Sequence, residues 1–438
     1  MSRSIQSVAV IGGGTMGSGI AAASAIAGCR VLILESDDDA AAKARERTLA
    51  AAQNPEEREA IDSRLRTGTV GADLATISEY DWVCEAIVED LGAKRDLFTR
   101  LEPLRRAGSV VSTNTSGIPL RDITRDLPAR LRRDIVVTHF FNPVRVMRLL
   151  EIVPGSDTET EVVESLADFC RDRLGKGVVH AKDTVNFIAN RIGCFWMLSG
   201  LHIAERFRAQ GLTTEVVDAL MSAPVGLPAT GLYGLIDLIG LDVMDYVGKN
   251  LALNLPVGDA GHAYTSFPAA EQALLARGQL GRKSGGGFYR LVKTAEGGKR
   301  KEVFDLANSA WRPLVPATLD PRHTTLDGLL LAEDGFGKFA WDLLGGTLLY
   351  AADLVPAIAD DIVNIDRAMR WGFAWAKGPF ELLDALGPRR VAAKLTAEGK
   401  PLPALLSVLV EAGGDSFYRA GGAEALGPDG QYHPVAGE

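Results

Sequence analysis

The chain has little of what disulfide scaffolds, metal sites and cationic surfaces require. Four cysteines occur among 438 residues, Cys29, Cys84, Cys170 and Cys194. None forms a C-x-x-C pair and each sits in an apolar or helix-like stretch. They read as buried, reduced thiols, and no zinc-ligand spacing is present, so no metal is expected. Basic residues are outnumbered, 47 Lys and Arg against 56 Asp and Glu, for a formal net charge of −9. General nucleic-acid binding needs a basic face, which this balance argues against; a local patch could still hold a phosphorylated ligand. No apolar run reaches the roughly 18 residues that span a bilayer. The opening "MSRSIQSVAVIGGG" runs almost directly into a strand, unlike a signal peptide. A cytoplasmic protein with no membrane association is expected.

What is present is ordinary globular material, 47% hydrophobic and 24% charged, in a length that suits about three domains of ~150 residues. "SVAVIGGGTMGSGIAAASAIAGCRVLILES" (7–36) holds the strongest local signal. A β-branched run leads into glycines 12, 14 and 17. An Ala-rich helical stretch follows, then a second apolar strand ending in Glu35. Gly12 permits a tight turn, Gly14 lets backbone approach a pyrophosphate, and Gly17 lets helix and strand pack closely. The helix start offers free N–H groups to phosphate. Glu35 can accept hydrogen bonds from both ribose hydroxyls and would repel a 2′-phosphate, so NAD is favoured over NADP. Further strands at 81–90, 109–119, 134–143 and 149–155 alternate with helices. The pattern predicts a doubly wound parallel sheet of Rossmann type, with ligands beyond the carboxyl ends of strands. Glu89, Ser116 and His139 are expected at those ends, converging on one cleft.

"HFFNPVRVMRLLE" (139–151) sets a histidine and a glutamate at the two ends of a short connection. Buried, such residues must be paired. With "EAIVEDLGAKRDLF", "STNTSGIP", "KDTVNFIANRIG" and "GRKSGGGFY" in order, the chain resembles the L-3-hydroxyacyl-CoA dehydrogenases of fatty-acid β-oxidation, strongly over 1–290. The resemblance implies His139 as catalytic base and Glu151 as its partner, with Ser116 and Asn190 near the substrate oxygen. It implies cofactor contacts from Gly12, Gly14, Thr15, Met16, Gly17, Glu35, Glu89, Lys94, Ser116, Asn142 and Lys283. Imidazole suits proton removal from an alcohol at neutral pH, and a carboxylate on its other nitrogen fixes the tautomer. His180, His202, His262, His323 and His433 lack such a context and read as surface or packing residues. Arg145 and Arg148 could meet phosphates, but a solvated face is the plainer reading.

The second half is helical in period and repeats itself. At an offset of 147, Gly231, Leu235, Asp237 and Gly240 match Gly378, Leu382, Asp384 and Gly387, and "VVDALM" (216–221) pairs with "NIDRAM" (364–369). "FIANRIG" aligns with "FAWDLLG" (339–345), placing Asp342 opposite Asn190. "ATGLYGLID" stands where the family usually has "GPFELLD". The expected organisation is a Rossmann domain over 1–183, a helical domain over 184–292, a linker over 293–325 and a second, duplicated helical domain over 326–438. The two helical copies are expected to form a pseudo-dimer within a monomer. Longer family members continue into a crotonase-type hydratase domain, so the resemblance leaves open a chain that is one part of a bifunctional protein. An acyl-CoA is the implied substrate. A small hydroxy-acid dehydrogenase and a catalytically silent NAD- or CoA-binding scaffold remain as alternatives.

Overall fold

The structure, a computed structural model, describes residues 3–294 and 297–437. The chain divides into two compact units, Met1–Ile188 with Ala357–Asp360, and Ala189–Pro356 with Asp361–Gly437.

The first unit is built on an eight-stranded sheet of β1 (Ser7–Ile11), β2 (Arg30–Glu35), β3 (Leu65–Thr69), β4 (Trp82–Glu85), β5 (Val110–Thr113), β6 (Ile135–Phe140), β7 (Leu149–Pro154) and β8 (Gly177–His180). Their order is β3-β2-β1-β4-β5-β6-β7-β8. β1, β4, β5 and β6 are buried along their whole length, as strands covered on both faces must be, and the polar residues that end β4, β5 and β6 lie in the interior with them. The winding direction reverses between β1 and β4, where ligands of such sheets bind.

Two strands depart from the expected all-parallel sheet, β7 and, parallel to it, β8. β7 runs antiparallel to β6, while every other pair is parallel. Residues 141–148 are too few for the crossover that a parallel return demands, so the chain must double back as a hairpin.

The second unit is mainly helical around the long helix Ala189–Phe207. Phe195 of that helix stacks on Tyr350 at 4.0 Å between ring centroids, and Trp196 meets Trp375 edge-on at 6.2 Å. Part of the expected linker at 293–325 is sheet. β9 (Tyr289–Lys293), β10 (Lys299–Asp305) and β11 (Ala310–Pro313) form an antiparallel meander. Val303 and Phe304 are buried in it, and Phe304 packs against Trp311, so two strands hide inside a stretch that charge, glycine and proline make look like a tether.

A polar frame occurs twice in this unit. Asp218 accepts from the Tyr233 and Gly234 N–H groups and from the Tyr289 hydroxyl at 2.7, 3.1 and 2.7 Å. Asp366 accepts from the Phe380 and Glu381 N–H groups and from the Tyr418 hydroxyl at 2.8, 3.1 and 2.9 Å. Asp237 and Asp384 likewise accept from the backbone of Phe288 and Tyr289, and of Phe417 and Tyr418. Each carboxylate closes a helix start or a loop that would otherwise leave buried N–H groups unpaired.

Candidate active site

The glycine turn divides its labour by position. A side chain on Gly12, whose φ is +95°, would lie 2.6 Å from the Ala86 carbonyl oxygen, and one on Gly17 would strike the Gly12 carbonyl. Gly14 has nothing within 4 Å of where a Cβ would stand. It precedes the helix Thr15–Ile26, and no side chain caps that helix. The exposed turn of Gly14 and Thr15, with half-buried Met16, therefore keeps N–H groups free for an anion. The Glu35 carboxylate, at the end of β2, accepts from Gly13 N–H at 2.7 Å. An open glycine, uncapped N–H groups and a carboxylate at the second strand's end fit a dinucleotide's pyrophosphate and ribose.

Beside the switch point, β4 ends in Glu85, which is fully buried. Lys94, 1% exposed, places its ammonium 2.8 Å from Glu85 and 3.3 Å from Glu89. Glu85 also accepts from Thr113 Oγ1 and Ile87 N–H at 2.5 and 2.7 Å. Glu89 accepts from Thr115 Oγ1 at 2.6 Å and from the Ser116 and Gly117 N–H groups at 2.9 and 3.1 Å. Burial pushes the Glu89 carboxyl up, but the Lys94 charge and these hydrogen bonds together hold it below the usual range. The loop that presents exposed Ser116 is thus pinned from beneath by Glu89. Asn114 ties the same loop to β6 by accepting from Phe140 N–H at 3.0 Å.

His139, near the end of β6, is directly opposite Glu151 of β7 in the antiparallel register. Its Nδ1 lies 2.6 Å from Glu151 Oε2; the histidine side chain is 3% exposed and the glutamate 0%. Glu151 Oε1 accepts from Ile188 N–H at 3.1 Å. Phe141 and Phe187 flank the imidazole at 4.4 and 5.6 Å between centroids. Phe187 is held at φ +51° and Asn186 at +59°, a left-handed turn just ahead of the helix Ala189–Phe207.

Glu89, Ser116 and His139 accordingly stand at or just past the carboxyl ends of β4, β5 and β6, three adjacent strands. Asn142 is exposed in the turn after β6. Arg145 is engaged structurally instead of lying on a solvated face, with two bonds to Glu57 at 2.7 and 2.8 Å. Asn190 and Lys283 belong to the second unit. Asn190 is half-buried in the first turn of its helix, and Lys283 pairs with Asp242 at 2.6 Å. Glu85 and Asn114 were not singled out by sequence; an acid closing an apolar strand and the first polar residue after one were the available signals.

Comparison with known proteins agrees with this geometry. Residues 7–184 match the family model described as 3-hydroxyacyl-CoA dehydrogenase, NAD binding domain, and residues 187–291 match its C-terminal domain, together well over half the chain. A Bacillus subtilis protein named as a 3-hydroxyacyl-CoA dehydrogenase is 32% identical over 95% of this chain and 56% of its own length. A Rickettsia felis protein named as a fatty acid oxidation complex trifunctional enzyme is 36% identical over 87% of this chain and 53% of its own. The chain thus spans about half the length of these relatives. The crystal structure of 3-hydroxybutyryl-CoA dehydrogenase from Escherichia coli superimposes with a TM-score of 0.71 at 25% identity, covering 94% of this chain and 99% of that one. NAD is the cofactor these matches indicate, and the chain belongs to the 3-hydroxyacyl-CoA dehydrogenase family.

Proposed function

We propose that the chain oxidises an L-3-hydroxyacyl-CoA to the 3-ketoacyl-CoA, or runs the reverse, within fatty-acid β-oxidation. The observation that carries this reading is the buried His139–Glu151 pair at 2.6 Å. NAD, when bound, supplies the hydride acceptor. With Glu151 accepting Nδ1–H, the Nε2 lone pair is free to take the substrate hydroxyl proton. The carboxylate then stabilises the imidazolium, and Ile188 N–H fixes the carboxylate. Ser116 and Asn190 orient the substrate oxygen. Gly12, Gly14, Thr15, Met16, Gly17, Glu35 and Glu89 hold the cofactor, with Asn142 and Lys283 as further contacts. Lys94 serves through Glu89, since its ammonium is enclosed.

The twin frames of Asp218 and Asp366 support a duplicated helical domain whose second copy covers the first, with one active site per chain. The name of the Rickettsia relative, a trifunctional enzyme, supports a place in fatty-acid oxidation beside further activities.

Following NADH absorbance with acetoacetyl-CoA tests the reading. Turnover with acetoacetyl-CoA and none with free acetoacetate is expected. Turnover of free acetoacetate alone would reassign the chain to small hydroxy acids, and binding without turnover would make it a scaffold.

A further inference from the structure

A cavity of about 930 Å³ opens in the second unit, between the helices Thr214–Leu220 and Gly231–Ile239 and the sheet of β9 and β10. That volume is at the upper end for small-molecule sites. Its origin is visible in the chain itself. At the repeat offset Gly234 corresponds to Glu381, and the Glu381 carboxylate folds back onto Gly378 N–H at 2.7 Å. Gly234 lines the cavity where its counterpart carries that side chain. A Cβ at Gly234 would meet only Asp218 at 3.5 Å and Thr230 at 3.7 Å, so the backbone there does not require glycine.

The charges lining the cavity do not cancel. Glu215 is engaged by Arg312 at 2.7 and 2.9 Å, and Arg290 by Glu302 at 2.7 and 2.8 Å. Asp218 and Asp237 are occupied by backbone N–H groups, and burial pushes them up to about 7 and about 6. The lining cations with no carboxylate partner among the described residues are Arg282 and Lys301, both exposed. Both act on Asp237 through space, and the Lys301 ammonium lies 4.3 Å from the centre of the Tyr289 ring. Leu291, Leu314 and Pro316 supply an apolar wall, with Leu291 65% exposed. The repeat has Glu411 where Arg282 stands, by the match of "RKSGGGFYR" to "EAGGDSFYR", so the Arg282 cation is particular to the first copy while the carboxylate frame is common to both.

We propose that this cavity is a second ligand site, taking an amphiphilic anion with its carboxylate or phosphate head on Arg282 and Lys301 and its alkyl body along Leu291, Leu314 and Pro316. Calorimetric titration of the whole chain with decanoate, decyl phosphate and decanol tests it. One of the two anions should bind at least tenfold more tightly than decanol, and the tighter one identifies the head group. Arg282→Ala with Lys301→Ala should weaken that anion about tenfold, the worth of one or two charge-assisted bonds. Gly234→Glu, which restores the side chain of the repeat, should abolish binding, while Gly234→Ala retains it. An unchanged melting temperature and NADH titre show that each variant folds; should Gly234→Glu fail this check, the double alanine variant decides. Decanol binding as well as either anion, anion affinity indifferent to the double variant, anion binding undisturbed in folded Gly234→Glu, or no binding at all would overturn the proposal.

Discussion

Glu151 faces His139 across an antiparallel strand pair, Oε2 to Nδ1 at 2.6 Å, and neither side chain is more than 3% exposed. His139→Ala should lower kcat by a factor on the order of 10²–10⁴, the usual worth of a positioned general base. NADH affinity should stay near the parent value. Glu151→Gln should lower kcat as well, because an amide can present its NH₂ to Nδ1 and favour the wrong tautomer. Steady-state kinetics with acetoacetyl-CoA and fluorescence titration of NADH check both; parental turnover in His139→Ala would remove the histidine from the mechanism.

Glu35 should set cofactor choice. Its carboxylate lies at the end of β2 and already accepts from the Gly13 N–H of the glycine turn. NAD should be preferred over NADP in kcat/KM, and Glu35→Ala should narrow the ratio by weakening NAD and relieving repulsion of the 2′-phosphate. Equal kcat/KM for the two cofactors in the unaltered protein would show that Glu35 does not face the ribose.

Stability should fall as pH rises from about 5 to 8. Burial raises Asp218 to about 7 and Asp237 to about 6, and it raises Glu271 to about 7. Unfolded carboxyls titrate near ~4, so between ~4 and ~7 the folded state holds more protons than the unfolded one. The contribution of these groups is complete below pH ~4 and is lost as pH passes through their folded values. Urea unfolding should give a free energy higher at pH 5 than at pH 8 by several kcal/mol, on the order of 6 when the three groups are summed, and Asp218→Asn should shrink the difference. A flat profile in the unaltered protein would contradict the burial of these carboxyls.

The second helical segment should be indispensable to the first. Arg191, next to Asn190, is 3% exposed and bonds Tyr350 Oη at 2.7 Å and Asp259 at 2.6 Å, and Tyr350 also stacks on Phe195. Deleting 326–438 strips Tyr350 from Arg191 and Phe195, leaves Arg191 with Asp259, and bares apolar surface around the helix Ala189–Phe207, so aggregation or forced dimerisation should follow. Light scattering of the truncated chain, with NADH titration of the whole one, checks this. A soluble truncated monomer, or two NADH sites per chain, would contradict the pseudo-dimer.

The sequence by itself determined the elements whose signals are local. Strand, glycine turn, helix and acid over 7–36 follow one another within thirty residues of chain, so their order alone carries the signal. His139 and Glu151 were legible for the same reason, since a hairpin is a short-range structure. The offset of 147 between "GLYGLIDLIG" and "GPFELLDALG" could be read because recurring residue types need no coordinates. Tertiary structure alone decided what depends on distant parts meeting. The two strands inside 293–325 exist because Val303 and Phe304 find a core that their charged neighbours do not announce. Lys94 came to lie under Glu89 and against Glu85 because burial forces a charge to find its opposite, and the sequence does not show which side chains are buried. The cavity at Gly234 is the plainest case: a missing side chain is a single letter in sequence and becomes a volume only when helix and sheet close around it.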